Sequence, residues 1–416
     1  MKPSTICHEW LDSLPQTQDY LKEEQLKGKE FLSDRGMPSK KDEAWRFSNL
    51  NCLNSFFSLP TVIQSENIQS EIESNYPEKD ENRERIIINP NKKAGLNINL
   101  PKGIEKLNKK EIEDNLGKIV KSTNIRNDIS VCLNQVFSLE ILALKIKSNF
   151  NQSLEIIIPS IEKKSISTRI LLLIEEGAKL DLLQILLGNI NSAQNHLIEI
   201  KLESKAELSH SLISLGEDHD SSSICTLAVE QARDSKYSLH SIYNGWNYAR
   251  FEPRIIQREG EASTIIKGLQ VTKSKEQIAT HSLIRFEGPN GKLDQLQKAV
   301  ASENSHCIFN GSIEVPQKAQ KTEAAQLSRN LLLSKRARID TKPELEIVAD
   351  DVRCTHGATV SQLQDEELFY LLSRGIDNEH ANSLLLQGYY DEVISNFPKS
   401  ARKWNFIEKL IQDIKK

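Results

Sequence analysis

The sequence lacks any long apolar run. Its longest purely apolar stretch, Ile170–Ile174, is far shorter than the roughly 18–20 residues that a membrane helix requires. The N-terminal segment has no apolar core of the kind found in secretory signals, and it carries Asp12 and Asp19. A basic surface is also lacking, because the net charge is -4 and the lysines are scattered among glutamates. We therefore expect a soluble cytoplasmic protein that binds neither membranes nor nucleic acid.

Cysteine is scarce and widely spaced. The six cysteines include no C-x-x-C pair, the spacing that zinc sites and thiol-redox sites commonly use. In a cytoplasmic protein, such isolated cysteines are expected to be reduced and mostly buried. They are Cys7, Cys52, Cys132, Cys225, Cys307 and Cys354.

Motifs for nucleotide hydrolysis and acyl transfer are missing as well. The segment Gly288–Lys292 has the wrong spacing for a phosphate loop and no hydroxyl residue after its lysine. The sequence contains no G-x-G-x-x-G, no H-E-x-x-H and no G-x-S-x-G. We therefore expect a chain that is not an enzyme, and any ATP used in its process must be hydrolysed by another subunit.

Short runs rich in Ile, Leu and Val dominate from about residue 131, and their turns repeat. Ala178 and Ala206 occupy similar turns 28 residues apart, and Ala262 follows Ala206 after 56 residues, which is twice that spacing. Stacked coils of a β-solenoid produce such a repeat without intervening helices. A β-sandwich also has many short strands, but it has no reason to repeat its turn chemistry. The pattern favours a mainly β solenoid core over 125–362.

Helical patterns flank this core and divide the chain into three regions. Residues 1–124 are predicted to be helical and irregular, with a first helix that ends at Gly36 and Pro38. Residues 363–416 are predicted to form a helical domain in which Gly375 separates two amphipathic helices, with Asp377 or Asn378 as N-cap of the second. A third helix is predicted over Trp404–Ile414. The broad apolar faces fit partner binding, and they equally fit helices that close the end of the solenoid.

The densest chemistry lies in Ala349–Val360. If this segment is a strand, Asp350, Cys354 and His356 project from one face, because side chains alternate. A thiolate and an imidazole two residues apart suit a borderline or soft metal such as iron. Two ligands do not close a metal site, so a buried cysteine beside a hydrogen-bonded histidine is the alternative.

The segment Ala319–Leu363 closely resembles the signature region of the SufB/SufD family. The resemblance continues through Leu368–Leu371 and Ser373–Ile376, and two upstream elements share it, Phe309–Gly311 and Asp42–Arg46. It is dense over the last hundred or so residues and sparse before about residue 270.

Two details favour the SufD branch of this family. SufB-like chains carry H-E-A-T where this chain has His356–Thr359, and they carry a functional cysteine where this chain has Arg329 and Asn330. Many SufD chains also have two histidines in the segment that matches Thr280–Phe286. Here only His281 is present, which makes a metal role for that segment doubtful.

The resemblance implies a right-handed parallel β-helix between helical regions, acting as a non-ATPase scaffold subunit in iron–sulfur cluster assembly. It implies a SufB-like partner and a SufC-like ABC ATPase that docks on the C-terminal helices. His356 and Cys354 are then expected at the interface where a transient iron–sulfur cluster forms, as tentative metal ligands. Family complexes are also associated with a reduced flavin. A purely structural adaptor and a polysaccharide-active β-helix enzyme are the alternatives.

Overall fold

A computed structural model describes residues 10–17, 20–61, 76–88, 100–125, 128–150, 152–217, 220–404 and 410. Its helices lie at the two ends of the chain, and two short 3-10 helices, Glu43–Trp45 and Leu50–Asn54, follow the first of them. The helices are α1 Tyr20–Arg35, α2 Ser55–Ser58, α3 Lys109–Asn115, α4 Lys118–Ser122, α5 Ile129–Phe137, α6 Asp365–Ser373, α7 Asn378–Ile394 and α8 Lys399–Arg402.

The strands fill the middle of the chain. They are β1 Arg83–Ile87, β2 Ile104–Lys106, β3 Ile141–Ile146, β4 Ser153–Pro159, β5 Ser165–Ile174, β6 Lys179–Leu187, β7 Ala193–Leu202, β8 Glu207–Leu215, β9 Ser222–Gln231, β10 Lys236–Asn244, β11 Tyr248–Gln257, β12 Ser263–Thr272, β13 Gln277–Phe286, β14 Lys292–Ala301, β15 His306–Val315, β16 Glu323–Leu332, β17 Arg338–Ile347 and β18 Arg353–Ser361.

These strands form two nine-stranded sheets that the chain visits in turn. One sheet has the order β1-β4-β6-β8-β10-β12-β14-β16-β18, and the other has the order β17-β15-β13-β11-β9-β7-β5-β3-β2. From β3 onward each strand pairs in parallel with the strand two places later, and the antiparallel pair β2–β3 lies at the N-terminal end. The predicted parallel β-helix with helical ends is confirmed, and the sandwich alternative is wrong.

A repeated corner makes the coils stack. Ala178 and Ala206 are both fully buried, and the Glu207 N–H donates to the Ala178 carbonyl at 2.8 Å, so the two alanines are equivalent in successive coils as predicted. The residue before each alanine is left-handed, with φ of 68° at Gly177 and 59° at Lys205. A small residue after a left-handed corner turns the chain sharply into the next strand. The same conformation recurs at Asp234, Glu261, Asn290 and Lys321.

The interior changes character along the solenoid. Register pairs Leu182, His210, Leu239, Ile266, Gln295, Gln326 and His356 in successive coils, and we call this set the inner row. Its early members Leu182, Leu239 and Ile266 belong to the aliphatic core, and His210 between them contacts Tyr237 and Gln184 through hydrogen bonds. Its late members are amides, and the row ends at His356. Burial of apolar area therefore holds the first coils together, whereas directional hydrogen bonds contribute more in the last ones.

Helices cover the outer faces of both sheets. Residues of α1 and α5, among them Leu32 and Val136, pack on the sheet that contains β2 and the odd-numbered strands β3 to β17, which we call the odd-numbered sheet. Leu386, Tyr390 and Val393 of helix α7 pack on the other sheet, which contains β1 and the even-numbered strands β4 to β18. The first helix ends before Gly36, which has a φ of 65°, as predicted. Among the residues described, none of the helices combines the length and apolarity needed to cross a bilayer.

The C-terminal helices begin where the sequence predicted. Gly375, with a φ of 82°, separates α6 from α7, and the Asp377 side chain caps α7 by accepting from the His380 N–H at 3.0 Å. Most of the predicted third helix, Trp404–Ile414, lies outside the described residues. Within them, α7 packs on the outer face of the solenoid, and β17 and β18 remain largely exposed.

The three predicted regions do not coincide with a change from helix to strand. The predicted core segment 125–362 begins with helix α5, and its first strand is β3. Strands β1 and β2 precede residue 125 in the chain, yet they pair with β4 and β3. The N-terminal region therefore contributes one strand to each sheet as well as the helices that cover the odd-numbered strands.

Candidate functional site

The two ends of the solenoid are finished differently. At the N-terminal end, the short strand β2 runs antiparallel to β3. At the other end, β17 and β18 each have a neighbour on one side only, β15 and β16 respectively. Both are edge strands of nearly full length, and most residues of β18 are exposed. Edge strands of this length carry rows of unpaired N–H and C=O groups.

His356 and Cys354 lie together on β18. Their register partners Gln326 and Ala324 are buried members of β16, so the two side chains belong to the inner face of the open end. Residues two apart on one strand are separated by roughly 6.6 Å. His356 is exposed and has no hydrogen-bond partner among the described residues, whereas Cys354 is half-buried against the core. In this arrangement His356 is therefore open to solvent, and Cys354 is partly covered.

Asp350 is not part of this group, and that part of the prediction is wrong. Strand β18 begins only at Arg353, so the alternation of side chains does not extend back to Asp350. Asp350 lies in the exposed turn between β17 and β18 and accepts a hydrogen bond from Gln317 Nε2 at 2.9 Å.

The donor set at the open end is incomplete for a metal. Over the described part of the chain, no group of three His, Cys, Asp or Glu side chains could hold an ion. Partial burial raises the pKa of the Cys354 thiol, so a metal or a base must remove its proton before the sulfur can act as a ligand. The pair supplies at most two ligands, and the others must come from elsewhere. Of the other described cysteines, Cys132, Cys225 and Cys307 are buried and Cys52 is half-buried, while Cys7 lies outside the described residues.

A ladder of amides runs toward His356, and the sequence analysis missed it. Gln295 Nε2 donates to Ser282 Oγ at 2.9 Å, and Gln326 Nε2 donates to Gln295 Oε1 at 2.9 Å. The next member of the row is His356. Gln326 follows Gln295 after 31 residues and His356 follows Gln326 after 30, spacings slightly longer than the 28 residues of the alanine repeat.

A buried arginine anchors the N-terminal element Asp42–Arg46 on the odd-numbered sheet. The Arg250 guanidinium lies 3.9 Å from the centre of the Trp45 ring and donates to the Ala44 carbonyl at 2.9 Å. It also forms a fully buried ion pair with Glu252 and contacts His281 Nε2 at 2.9 Å. Burial, followed by the charge of Arg250, holds the pKa of His281 well below its usual value. His281 is therefore a neutral partner of an arginine, an unfavourable place for a metal ion.

The N-terminal element and the residues just after it also reach the edge strand β17. Gln277 accepts from the Asn49 N–H at 2.6 Å, and its Nε2 lies 2.7 Å from His306 Nδ1. His306 Nε2 lies 2.6 Å from Asp340 Oδ2 on β17. A second link is the ion pair between Lys342 of β17 and Glu43 of the element, whose Nζ and Oε1 atoms lie 2.7 Å apart. These bonds fix the outer side of β17 without covering its free edge.

The C-terminal helices have one anchored part and one exposed part. Lys298, which is 3% exposed, donates to the carbonyl of Tyr389 in α7 at 2.7 Å and lies 4.1 Å from the centre of that ring. Helix α6 has no buried residue, although it carries several large apolar side chains. Phe369, Tyr370 and Leu372 of α6 are exposed, and so is Leu384 of α7.

Known proteins similar to this chain point in one direction. The family model described as SUF system FeS cluster assembly, SufBD core domain, matches residues 156–389. An iron–sulfur cluster assembly SufBD family protein of Synechocystis sp. is 39% identical over 204 residues, which are 49% of this chain and 45% of that protein. The iron–sulfur cluster assembly protein SufD of Escherichia coli is 36% identical over 206 residues, which are 49% of this chain and 46% of SufD.

A plant protein is similar over a comparable length. The chloroplastic protein ABCI7 of Arabidopsis thaliana is 33% identical over 234 residues, which are 55% of this chain and 49% of ABCI7. The chain thus spans about half the length of the relatives that it matches. The family model covers strands β4 to β18 and most of α7, which is more than half of the chain. The chain belongs to the SufB/SufD family of iron–sulfur cluster assembly proteins.

Proposed function

We propose that this chain is a non-ATPase scaffold subunit of the SufD type that pairs end to end with a SufB-like β-helix. The observation that carries the proposal is the open end of the solenoid. It consists of the edge strands β17 and β18, both of nearly full length, and β18 carries His356 and Cys354. The family membership of the chain supports the process, and the SufD branch rests on the relatives and on His356–Thr359. The polysaccharide-active alternative has no support from these relatives.

A second β-helix is the partner that fits this end. The edges of β17 and β18 belong to different sheets of one solenoid, so a homologous coil would extend both sheets at once. A single peptide strand would satisfy only one edge. Apolar side chains at this end, such as Val360 at 45% exposure and Val348 at 56%, add area that such a partner would bury.

The cluster is the cargo of this interface. His356 offers a neutral imidazole nitrogen, and Cys354 offers a thiolate once its proton is lost. Because the chain supplies at most two ligands, the SufB-like partner must supply the remainder. The cluster can therefore form only where the two chains meet, and it can leave when the interface opens. The reduced flavin associated with family complexes remains an expectation about the complex, and no residue of this chain is assigned to it.

ATP hydrolysis is assigned to a separate SufC-like subunit in the cytoplasm. The sequence has no phosphate loop. The exposed apolar side chains of α6, together with Leu384, form a surface on which such a subunit can dock. The buried contacts of Lys298 with α7 provide a firm connection between this surface and the solenoid.

Two charge-introducing variants test the two docking surfaces against each other. Val360→Lys places a charge on the open edge and should abolish co-purification of the SufB-like partner while the ATPase is retained. Phe369→Lys, at a position that is 71% exposed, should abolish co-purification of the ATPase while the SufB-like partner is retained. Each variant is the control for the other. If both variants keep both partners, the assigned surfaces are wrong.

The ligand role is tested separately. Complexes purified without oxygen from wild type and His356→Ala should contain equal amounts of the three subunits, but the variant should lack iron and sulfide. Cys354→Ser should give a milder loss. A His356→Ala complex with wild-type iron content would leave this chain a structural adaptor.

A further inference from the structure

Gln326 occupies a defined place next to His356. It is the register partner of His356 on the neighbouring strand β16, and parallel strands lie roughly 4.8 Å apart. Its Nε2 donates to Gln295 Oε1 at 2.9 Å. Its Oε1 is buried and has no hydrogen-bond partner among the residues that the structure describes. A buried carbonyl oxygen without a hydrogen-bond donor is energetically unfavourable, so a donor that reaches the Gln326 Oε1 atom would stabilise it.

The surroundings hold the Gln326 amide in place. A Cβ atom at Gly311 on the facing sheet would come within 2.4 Å of Gln326 Nε2, so the absence of that atom leaves the room that the amide uses. Gln295 is held in turn by Ser282, to which it donates at 2.9 Å. In this ladder each Nε2 group donates to a residue of an earlier strand, away from the open end. Its terminal oxygen is that of Gln326.

We propose that Gln326 is a positioning residue for His356, whose ring N–H it accepts through Oε1. The neutral imidazole has one N–H and one lone pair, so an acceptor for the N–H decides which nitrogen keeps the lone pair. A rotation of the exposed His356 side chain brings its N–H to Gln326 and turns the other nitrogen toward the open end. Histidines that bind metals are commonly fixed in this way by a second hydrogen bond. The proposal rests on the ligand role proposed above for His356.

The test measures the His356 tautomer directly in the isolated full-length chain. Nitrogen-15 chemical shifts of the ring, assigned with the His356→Ala variant, report which nitrogen carries the proton. One tautomer should predominate in the wild type, and Gln326→Met, which keeps the length of the side chain but removes the acceptor, should abolish the preference. Gln326→Glu keeps an acceptor oxygen and should restore it, because the Gln295 amide can turn to donate.

The matched control is Gln270→Met. Gln270 is also an interior glutamine with a buried, unpartnered Oε1, but it lies two strands before β16 in the sheet and not in the inner row. This variant should leave the His356 tautomer unchanged. In the assembled complex, Gln326→Met should lower the rate of cluster formation roughly tenfold, the scale of second hydrogen-bond losses at metal sites, while Gln270→Met should not.

The outcomes separate this inference from the proposed function. An unchanged tautomer in Gln326→Met, with native circular dichroism, would overturn the positioning role even if His356→Ala blocks cluster formation. A lost preference in Gln326→Met combined with normal cluster formation in His356→Ala would confirm the hydrogen bond and refute the ligand role. Should Gln326→Met fail to fold, Gln295→Met tests the same ladder one step further from His356, and an unchanged tautomer there would count against the proposal.

Discussion

The first and last coils of one solenoid solve the same packing problem with different chemistry. Leu182 and Leu239 of the inner row are buried among aliphatic side chains, whereas Gln295 and Gln326 of the same row are joined by hydrogen bonds. Aliphatic packing requires a neighbour on every side, because apolar surface left open to water favours aggregation. An amide ladder tolerates water at its end and accepts a partner later. This difference supports the proposal that the last coils pair with another surface.

The largest expected effect breaks this comparison at its aliphatic end. Leu182→Ala should lower the free energy of unfolding by about 2–5 kcal/mol, because it leaves a cavity in a fully buried position. His356→Ala, in the same row, should change it by less than about 0.5 kcal/mol, because the side chain is exposed. Urea unfolding followed by circular dichroism measures both. Equal losses would show that the row is uniform along the solenoid.

The next largest effect concerns how the polar coils are held. Lys298→Ala should cost about 1–3 kcal/mol, because the buried ammonium donates to the Tyr389 carbonyl and stacks on its ring. Hydrogen exchange should accelerate in β14 and α7 more than in β6. Arg329→Ala is the control, since its side chain is half exposed and its loss should be nearly neutral. Undisturbed exchange in α7 after Lys298→Ala would argue against this anchor.

Acid should distinguish the two regions next. Burial lowers the pKa of His210 and of His196 to about 3, far below the usual value near 6.5. Between these two values the unfolded chain binds more protons than the folded one, so stability falls as the pH falls from about 6.5 toward 3. Each histidine should contribute about 1.4 kcal/mol per pH unit. His210→Gln should flatten the pH dependence of urea unfolding, and Gln295→Met, which removes no titrating group, should not.

The smallest expected effect sharpens the comparison by testing what the two regions share. Lys205 in an early coil and Lys321 in a late coil both hold left-handed corners, with φ of 59° and 60°. Glycine adopts this conformation without steric cost, although it is more flexible when unfolded. Lys205→Gly and Lys321→Gly should each raise the free energy of unfolding by less than about 1 kcal/mol, and by similar amounts. A gain at one corner alone would show that the coils are not equivalent.

The sequence predicted the solenoid because the coil repeat is short and is marked by small residues at equivalent turns. Ala178 and Ala206 are separated by one coil length. The Asp377 side chain caps its helix by accepting a hydrogen bond from the N–H of His380, only three residues later. The sequence also placed His356 and Cys354 on one face of a strand, because the two residues lie two positions apart. Asp350 was misplaced because the alternation of a strand was extended into a turn.

The remaining features depend on contacts that no local pattern encodes. Arg250 meets Ala44 and Trp45 across about two hundred residues of chain. Such a pairing follows from the way the N-terminal segment is laid over the finished sheet. The amide ladder was missed for another reason, since its spacings of 31 and 30 residues differ from the 28 residues of the alanine repeat.

The stacking of strands also fixes the length of the solenoid. Nine strands at a spacing of roughly 4.8 Å set the span from β1 to β18 at roughly 38 Å. Each coil contributes one fixed increment to that span. Inserting or deleting one coil of about 29 residues would shift His356 by about 4.8 Å relative to β1, the strand at the opposite edge of the same sheet. The number of coils therefore sets the distance from β1 to the open end that carries His356.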